Sequence, residues 1–280
     1  MLSANTSAYV ADSMKISLII TTFNWKEALR LAILHAFAQS RRPDQIIIAD
    51  DGSSDGTAET VNKIARESPV PIIYLWQEDL GFRAALSRNR AIAKAAGDYI
   101  VLIDGDILIS PHFIEDHMQI ARPGFFVQGS RVILGKELTN QILKGQSSQL
   151  SFFQPGLSNR QNMIRWQPLS VLFSKQSNSM NGIKTCNFAF WRQDAIQVNG
   201  FNEDFIGWGR EDSEFAARLL NKGLVRKTVR FQAKAMHLYH EICSRKSLES
   251  NDLLLKNTLS QKLIWCNNGI DKHLNRPSDP

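Results

Sequence analysis

Two aspartates separated by one glycine follow a strongly apolar run near the middle of the chain. The run, Tyr99 to Ile103, is typical of a buried strand, and Asp104, Gly105 and Asp106 come directly after it. Residues two apart in an extended chain point to the same side, so both carboxylates should face one small volume. Like charges held together there are unfavourable unless a positive charge lies between them. The spacing therefore indicates a divalent cation, with a phosphate-bearing ligand on its far side.

A second acidic turn, beginning at Asp50 and Asp51, follows the predicted strand Gln45 to Ala49. Such turns are common for purely structural reasons. At the end of a strand, a carboxylate here is also placed to accept a hydrogen bond from a ring N–H such as that of uracil. Further along, Arg83, two residues after Gly81, offers a guanidinium to a phosphate or a base. The roles of Arg88 and Arg90, at the start of the next helix, stay open.

The segment from Gly200 to Asp212 is the most distinctive part of the second half. Trp208 lies between two glycines, an arrangement that displays a flat apolar face of the kind that stacks on sugar rings. Glu211 and Asp212 then begin a helix, where the helix dipole favours ionised carboxylates. The acids are either good helix starters or functional groups. An ionised Asp212 beside a tryptophan platform is a sensible general base for a hydroxyl.

Two histidines, His237 and His240, end the last predicted strand. A single histidine in a strand is more often a core residue than a ligand. Two at this spacing make one of them a candidate third ligand of the proposed cation, and His240 is the preferred choice.

The elements that must position these residues alternate between strand and helix in the first half. Strands are predicted at Ile16–Thr21, Gln45–Ala49, Val70–Trp76 and Tyr99–Ile103, and helices at Lys26–Gln39, Thr57–Arg66 and Ala84–Ala96. This alternation predicts an α/β fold with a parallel sheet, in which ligands bind beyond the carboxyl ends of the strands. The motifs at Thr21, Asp51 and Asp104 all follow strand ends, so they should share one edge.

The second half is less regular. Residues 135–179 are predicted as a helix followed by a long mobile loop. Strands are expected at Thr185–Trp191 and Val229–His237, and a helix at Glu211–Lys222. A leucine-rich helical tail follows Ser247. Packing on the domain is the preferred interpretation of this tail, and a membrane surface is the alternative.

Composition limits the class of protein. The chain has 280 residues, of which 43% are hydrophobic, and its length fits one large domain. No apolar run approaches the roughly 20 residues of a membrane-spanning helix. Residues 1–13 lack the pattern of a secretory signal and are expected to form a flexible extension. Three sparse cysteines, Cys186, Cys243 and Cys266, indicate reduced thiols. A cytoplasmic location, with peripheral contact at the inner face of the cell membrane, is expected.

The net charge of +6 is unevenly distributed. Residues 224–246 contain a cluster of basic residues and a single acid, Glu241; the basic residues are Arg226, Lys227, Arg230, Lys234, Arg245 and Lys246. Such a stretch is a solvated face, an attraction for anionic lipid or a site for an anionic ligand. Nucleic acid is not expected as a partner, because no basic motif with interleaved aromatic residues accompanies it.

In combination, these motifs resemble the inverting family 2 glycosyltransferases of the GT-A fold. The segments Ile19–Asn24, Asp50–Ser53 and Asp104–Asp106 match that family in order and spacing. Residues 200–215 are similar to the C-terminal lobe of β-1,4-galactosyltransferases and of bacterial chondroitin-type polymerases. The resemblance covers roughly residues 15–241. It implies a GT-A (Rossmann-like), mostly parallel sheet, a nucleotide-sugar donor that is usually a UDP-sugar, and Mn²⁺ or Mg²⁺.

The resemblance also implies roles for individual residues. Donor-binding positions are Thr21, Phe23, Asn24, Asp51, Arg83, Asp104 and Asp106. Asp106 and His240 would bind the metal, Trp208 and Glu211 the acceptor, and Asp212 would be the catalytic base. Two departures stand out: Phe23 replaces a tyrosine of many relatives, and the Arg210 position is often glycine in the galactosyltransferases.

The expected organisation is an N-terminal extension (1–13), a donor-binding half (14–130), an acceptor-binding and catalytic half (131–246) and a helical tail (247–280). The expected acceptor is a glycan or glycolipid, in surface polysaccharide or lipopolysaccharide synthesis by analogy. Three alternatives remain open: a retaining GT-A transferase, a nucleotidyltransferase, and a non-enzymatic protein that binds polyanions or membranes.

Overall fold

The computed structural model describes residues 14–146, 150–241 and 245–274. The predicted extension at residues 1–13, Cys243 and the end of the tail lie outside these ranges. Strands in the described residues are β1 (Ile16–Thr22), β2 (Gln45–Asp50), β3 (Ile72–Trp76), β4 (Tyr99–Asp104), β5 (Ile107–Ile109), β6 (Phe125–Gln128), β7 (Val132–Leu134), β8 (Leu157–Ser158), β9 (Lys175–Ser177), β10 (Phe188–Trp191), β11 (Val225–Thr228) and β12 (Ala235–His237). Helices are α1 (Lys26–Phe37), α2 (Thr57–Ala65), α3 (Ala84–Lys94), α4 (Phe113–Ile120), α5 (Lys136–Leu143), α6 (Gln167–Phe173), α7 (Arg192–Gln197), α8 (Glu211–Asn221), α9 (Leu248–Ser260) and α10 (Asp271–Leu274).

A mixed sheet in the order β3-β2-β1-β4-β10-β6-β11-β9 forms the centre of the molecule. Strands β1 to β4 are mutually parallel, and β1 lies between β2 and β4. Apolar side chains of β1, β2 and β4 are buried on both faces, as expected for parallel strands covered by helices. This confirms the predicted α/β class, and the predicted elements of the first half agree with the structure to within a few residues.

The second half departs from several sequence predictions. The predicted strand Val229–His237 is wrong over its first six residues, because the backbone turns there through positive φ at Phe231 and Ala233 before β12 begins. The predicted strand Thr185–Trp191 begins as a 3-10 turn and becomes β10 only at Phe188. In residues 150–179, where only a loop was predicted, the chain forms β8, a 3-10 turn, α6 and β9.

A smaller sheet, in the order β5-β12-β7-β8, crosses the carboxyl end of β4. β12 pairs antiparallel with β5, with His237 opposite Ile107. The backbone N–H of Leu238 donates to the carbonyl of Asp106 at 3.0 Å. Strand pairing therefore brings the two predicted histidines beside the Asp104–Asp106 turn, although more than 100 residues separate them in the sequence.

The leucine-rich tail forms α9 and packs on α8. Thr258 Oγ1 donates to Glu214 Oε1 at 3.1 Å, and Asn251 Nδ2 donates to the carbonyl of Gly209 at 2.9 Å. The second bond ties the tail to the loop that carries Trp208. No helix of the described residues has the length and hydropathy to cross a bilayer.

Candidate active site

Asp104 and Thr21 face each other across the carboxyl ends of two neighbouring strands. They are register partners in the β1–β4 pair, and Thr21 Oγ1 donates to Asp104 Oδ1 at 2.9 Å. The following Gly105 donates its N–H to the carbonyl of Thr21 at 2.6 Å. A Cβ at Gly105 would lie 3.1 Å from that carbonyl oxygen, so the glycine lets this turn pack closely on β1.

Asp106, His237 and His240 form a compact cluster beside this turn. Asp106 Oδ2 lies 3.5 Å from His237 Nε2 and 3.4 Å from His240 Nε2. One ligand atom from each residue lies within 4.8 Å of the other two. The sequence preferred His240 over His237, but the geometry groups both histidines with Asp106 at nearly equal distances.

The chemistry of this cluster fits a cation. Asp106 Oδ1 is buried without a hydrogen-bond partner. Burial, aided by the neighbouring Asp104 charge, raises the pKa of Asp106 to about 8. Burial also lowers the pKa of His237 to about 4, so its imidazole is neutral, which is the form that binds metals. A divalent ion would supply the missing partner and would favour the ionised carboxylate.

Asp51 lies in the wall of the site, with both oxygens held by the protein. Gln77 Nε2 donates to Oδ1 at 2.6 Å, and the backbone N–H of Arg83 donates to Oδ2 at 2.7 Å. Burial raises the pKa of Asp51. The Arg83 side chain folds back onto the carbonyl of Glu78. These bonds fix the Gly81–Arg83 loop against the Asp51 turn, a contact that sequence reasoning did not foresee.

Phe23 and Asn24 follow β1 at the same edge. The Phe23 side chain is 48% exposed, which leaves its ring face free for a ligand. Asn24 has a φ of 45° and braces the Asp50–Ser53 turn. Its N–H donates to Ser53 Oγ and its Oδ1 accepts from the N–H of Ser54, both at 2.8 Å.

The loop that carries Trp208 is bonded to the loop that contains Phe82 and Arg83. The N–H of Gly207 donates to the carbonyl of Phe82 at 2.9 Å. The Trp208 ring is partly exposed, and the guanidinium carbon of Arg245 lies 5.6 Å from its centroid. Arg210, at the start of α8, has a φ of 78°, in the left-handed region that favours glycine. The positive φ explains why a glycine would suit this position, as noted above for the galactosyltransferases.

Arg88 joins the two sides of the site. Its Nη1 donates to Glu211 Oε1 at 2.9 Å, and its Nη2 lies 3.6 Å from Asp104 Oδ1. The guanidinium is almost fully buried. Sequence reasoning left this arginine open. A usable signal was its position on the buried face of α3, four residues after Ala84 and four before Ile92.

Asp212 follows Glu211 at the start of α8. Its Oδ1 accepts from the N–H of Ser213 at 2.6 Å. Burial, together with the neighbouring Glu211 charge, raises the pKa of Asp212 to about 7, and the positive charge of Arg88 opposes that rise. Arg88 acts in the same direction on Asp51. Two carboxylates from distant parts of the chain, Asp104 and Glu211, therefore lie beside one buried guanidinium, whose charge also acts on Asp51 and Asp212.

The family model for glycosyl transferase family 2 matches residues 17–180, more than half of the chain. The chain belongs to glycosyl transferase family 2. A second model, described as the N-terminal domain of galactosyltransferase, matches residues 169–241, which include Trp208, Glu211 and Asp212. The two matches confirm the family resemblance found in the sequence.

Curated relatives are similar over most of this chain. Validoxylamine A glucosyltransferase of Streptomyces hygroscopicus subsp. limoneus is 25% identical over 280 residues, which cover 92% of this chain and 56% of the relative. Chondroitin synthase of Escherichia coli is 24% identical over 271 residues, which cover 89% of this chain and 38% of the relative. This family 2 chain thus spans only about half, or less, of the length of these relatives.

Solved structures support the GT-A fold. The crystal structure of GalNAc-T7 with UDP, GalNAc and Mn²⁺ superposes with a TM-score of 0.59 at 12% identity, covering 81% of this chain and 44% of that one. Staphylococcus aureus TarS superposes with a TM-score of 0.58 at 15% identity, covering 89% and 41%. At these identities the likeness concerns the fold alone.

Proposed function

We propose that this family 2 chain is a metal-dependent inverting transferase, which moves a sugar from a UDP-sugar to a hydroxyl of a glycan or glycolipid. Surface polysaccharide or lipopolysaccharide synthesis is the proposed setting. The observation that carries the proposal is the buried Arg88, which links Asp104 on the donor side to Glu211 on the acceptor side. Such a link suits a site that must hold two substrates in one fixed geometry.

The donor would be bound by residues 14–130. Phe23 offers an exposed ring to the base, while Asn24, Asp51 and Arg83 shape the pocket around the nucleoside. Thr21 and Asp104 lie at the end of the neighbouring strands, where the diphosphate would enter.

Asp106, His237 and His240 are the proposed metal ligands. A carboxylate with two imidazoles suits Mn²⁺ better than Mg²⁺, which prefers oxygen ligands. A divalent ion held there would provide Lewis-acid stabilisation of the charge that develops on the leaving diphosphate.

Residues 131–246 would bind and activate the acceptor, and residues 247–280 would support them. Trp208 offers a stacking face and Glu211 a hydrogen-bond acceptor. The acceptor oxygen forms a bond to the anomeric carbon on the face opposite the nucleotide, while the bond from that carbon to the diphosphate oxygen breaks. Asp212 takes the proton of the acceptor hydroxyl, and the nucleoside diphosphate leaves with the bonding electron pair.

A thermal-shift panel of nucleotide-sugars, with and without Mn²⁺, tests this function. We expect one donor to raise the midpoint of unfolding only when Mn²⁺ is present, by mass action. Asp106→Ala should lose that shift, and the matched control Glu249→Ala, on the exposed face of α9, should keep it. An equal shift without Mn²⁺, or one that persists in Asp106→Ala, would contradict the metal site.

Early-time NMR of the product separates the enzymatic alternatives. Inversion of the anomeric configuration is expected. Retention would indicate a retaining transferase, and release of pyrophosphate instead of nucleoside diphosphate would indicate nucleotidyl transfer.

A further inference from the structure

The short helix α6 presents its apolar side chains to solvent. Val171 is 84% exposed and Leu172 is 73% exposed. Trp166, just before the helix, is 56% exposed, and Phe173 at its end is also exposed. Single exposed apolar residues are ordinary, but a contiguous group of this size marks an interaction surface.

Polar contacts attach this helix to the protein. Ser170, its buried residue, donates through Oγ to Gln232 Oε1 at 2.7 Å. The N–H of Trp166 donates to the carbonyl of Phe231 at 3.0 Å. The Phe173 ring also packs edge-on against Phe231, with ring centroids 5.6 Å apart. The usual amphipathic arrangement is nevertheless reversed in the middle of the helix, because Ser170 is buried while the valine and leucine that follow it face outward. An apolar partner would bury those side chains.

The segment of sequence that contains α6 is basic, although its Arg165 is paired with the buried Asp116. The sequence contains no aspartate or glutamate from Leu138 to Gln193, although six lysines and arginines lie in that span. Exposed Lys175 begins β9 directly after α6 and pairs with Thr228 of β11. Exposed Arg230 lies on the adjacent turn, with its N–H 3.4 Å from Ser174 Oγ.

The structure divides the basic stretch at residues 224–246. Arg226 is buried, and its Nη1 donates to the carbonyls of Ser179 and Asn181 at 2.9 and 2.7 Å. This arginine holds the chain near β9 and is not free to meet a ligand. Arg230 remains exposed, on the same side of the molecule as α6.

Strand directions put this surface at the edge that carries the candidate site. β10 is antiparallel to both β4 and β6, and β6 is parallel to β11. The carboxyl ends of β4 and β11 therefore lie at one edge of the sheet. Asp104 ends β4, and the turn that follows β11 contains Phe231, on which α6 rests.

We propose that Trp166, Val171, Leu172, Phe173, Lys175 and Arg230, here called the α6 surface, dock this protein on an anionic lipid bilayer. The apolar side chains would enter the headgroup region, where tryptophan is favoured, and the two cations would attract anionic lipid. A bilayer explains both the outward apolar residues and the absence of acids from this segment of the sequence. The inference does not depend on the proposed function.

Vesicle co-sedimentation of the full chain, without nucleotide-sugar, tests the α6 surface. We expect at least tenfold tighter binding to phosphatidylglycerol–phosphatidylcholine vesicles than to pure phosphatidylcholine, with a loss on adding salt. The double variant Val171→Ser with Leu172→Ser should weaken binding at least tenfold, and so should Lys175→Gln with Arg230→Gln. All four side chains are exposed, so the fold should persist, as circular dichroism would verify.

A control variant removes one exposed apolar and one exposed basic side chain from α9. Leu253, 65% exposed on α9, and exposed Lys256 are changed to Ser and Gln, and vesicle binding should stay within twofold of the unchanged protein. Equal binding to neutral vesicles, an equal loss in this control, or no loss in the α6 variants would overturn the proposal. A dimer in light scattering that Val171→Ser with Leu172→Ser dissociates, without vesicle binding, would assign the surface to a second copy.

Discussion

The two halves of the site are built in different ways. On the proposed donor side, residues 14–130, the side chains extend from the ends of parallel strands whose interiors are fully buried. On the proposed acceptor side, residues 131–246, Trp208 and Arg210 lie on a loop with repeated positive φ, and His240 follows a three-residue strand. At a strand end, the register of the sheet fixes the direction in which a side chain points. In the loop, the positions of the side chains depend on individual contacts, such as the hydrogen bond from Gly207 to Phe82.

The two sides should therefore differ in how firmly their side chains are held. We expect the proposed donor side to be the more rigid of the two, because β1, β2 and β4 each have a paired strand on both sides in the sheet. The Trp208 loop and the start of α8 are held instead by a few links outside the sheets, of which Arg88–Glu211 and Asn251–Gly209 are the clearest. Substitutions in the Trp208 loop and at Asp212 should therefore alter turnover with little effect on donor binding, whereas changes at the two histidines beside Asp106 should not be so confined.

The largest expected effect comes from removing the proposed base. Asp212→Asn keeps the shape of the side chain but cannot accept the proton of the acceptor. We expect kcat to fall by about 10²- to 10⁴-fold, the usual range for general-base catalysis, while donor affinity measured by calorimetry stays unchanged.

The control for this change is Asp204→Asn, in the loop that precedes α8. Asp204 is exposed and accepts from Asn268 Nδ2 at 2.7 Å, a bond that asparagine can keep. Near-normal turnover in Asp212→Asn would remove this residue from the mechanism. Loss of donor binding would mean that the two halves are not separable.

The sequence was most informative about the candidate site residues that follow predicted strands. Apolar runs such as Ile16–Thr21 and Tyr99–Ile103 are enough to predict buried strands. Because ligands bind at the carboxyl ends of parallel strands, the sequence also predicted that Thr21 and Asp104 lie at one edge. The Arg88–Glu211 bond joins positions 123 residues apart. No local pattern encodes such a contact, and only the position of Arg88 on an apolar helix face hinted at it. The turn at Phe231 was missed for the related reason that its apolar alternation resembles a strand.

Arg88→Met removes the charged link between Asp104 and Glu211 and should destabilise the protein. It leaves the buried Glu211 carboxylate without its counter-charge and takes away the cation nearest to the partly exposed Asp104. We expect the free energy of unfolding, measured with urea, to fall by about 3–5 kcal/mol. The neighbouring Arg90→Met, which loses only a bond to the Trp76 carbonyl, should cost less than about 1 kcal/mol.

A second substitution sharpens this test. Adding Glu211→Gln to Arg88→Met removes one of the two unpaired charges, so part of the lost stability should return. If the double variant is no more stable than Arg88→Met alone, burial of unpaired charge is not the cause of the loss.

The pH dependence of kcat should report the ionisation of the proposed base, Asp212. A carboxyl with a pKa of about 7 accepts a proton only when ionised, so kcat at saturating substrates should rise with pH and level off above an inflection near 7. Glu211→Gln removes a neighbouring negative charge that raises this pKa, so the inflection should move to lower pH. A shift to higher pH, or none, would contradict the assignment of Asp212 as the titrating group.

The smallest expected effect concerns the backbone at the start of α8. Arg210 adopts a φ of 78°, where a side chain is strained and glycine is not. Arg210→Gly also removes an exposed ion pair with Asp252, in which Arg210 Nε lies 2.5 Å from Oδ1, so the comparison is made in an Asp252→Asn background. There, glycine should raise the free energy of unfolding by about 0.5–1 kcal/mol in urea titrations. A loss instead would mean that the arginine stem stabilises the acceptor loop more than its backbone strain destabilises it.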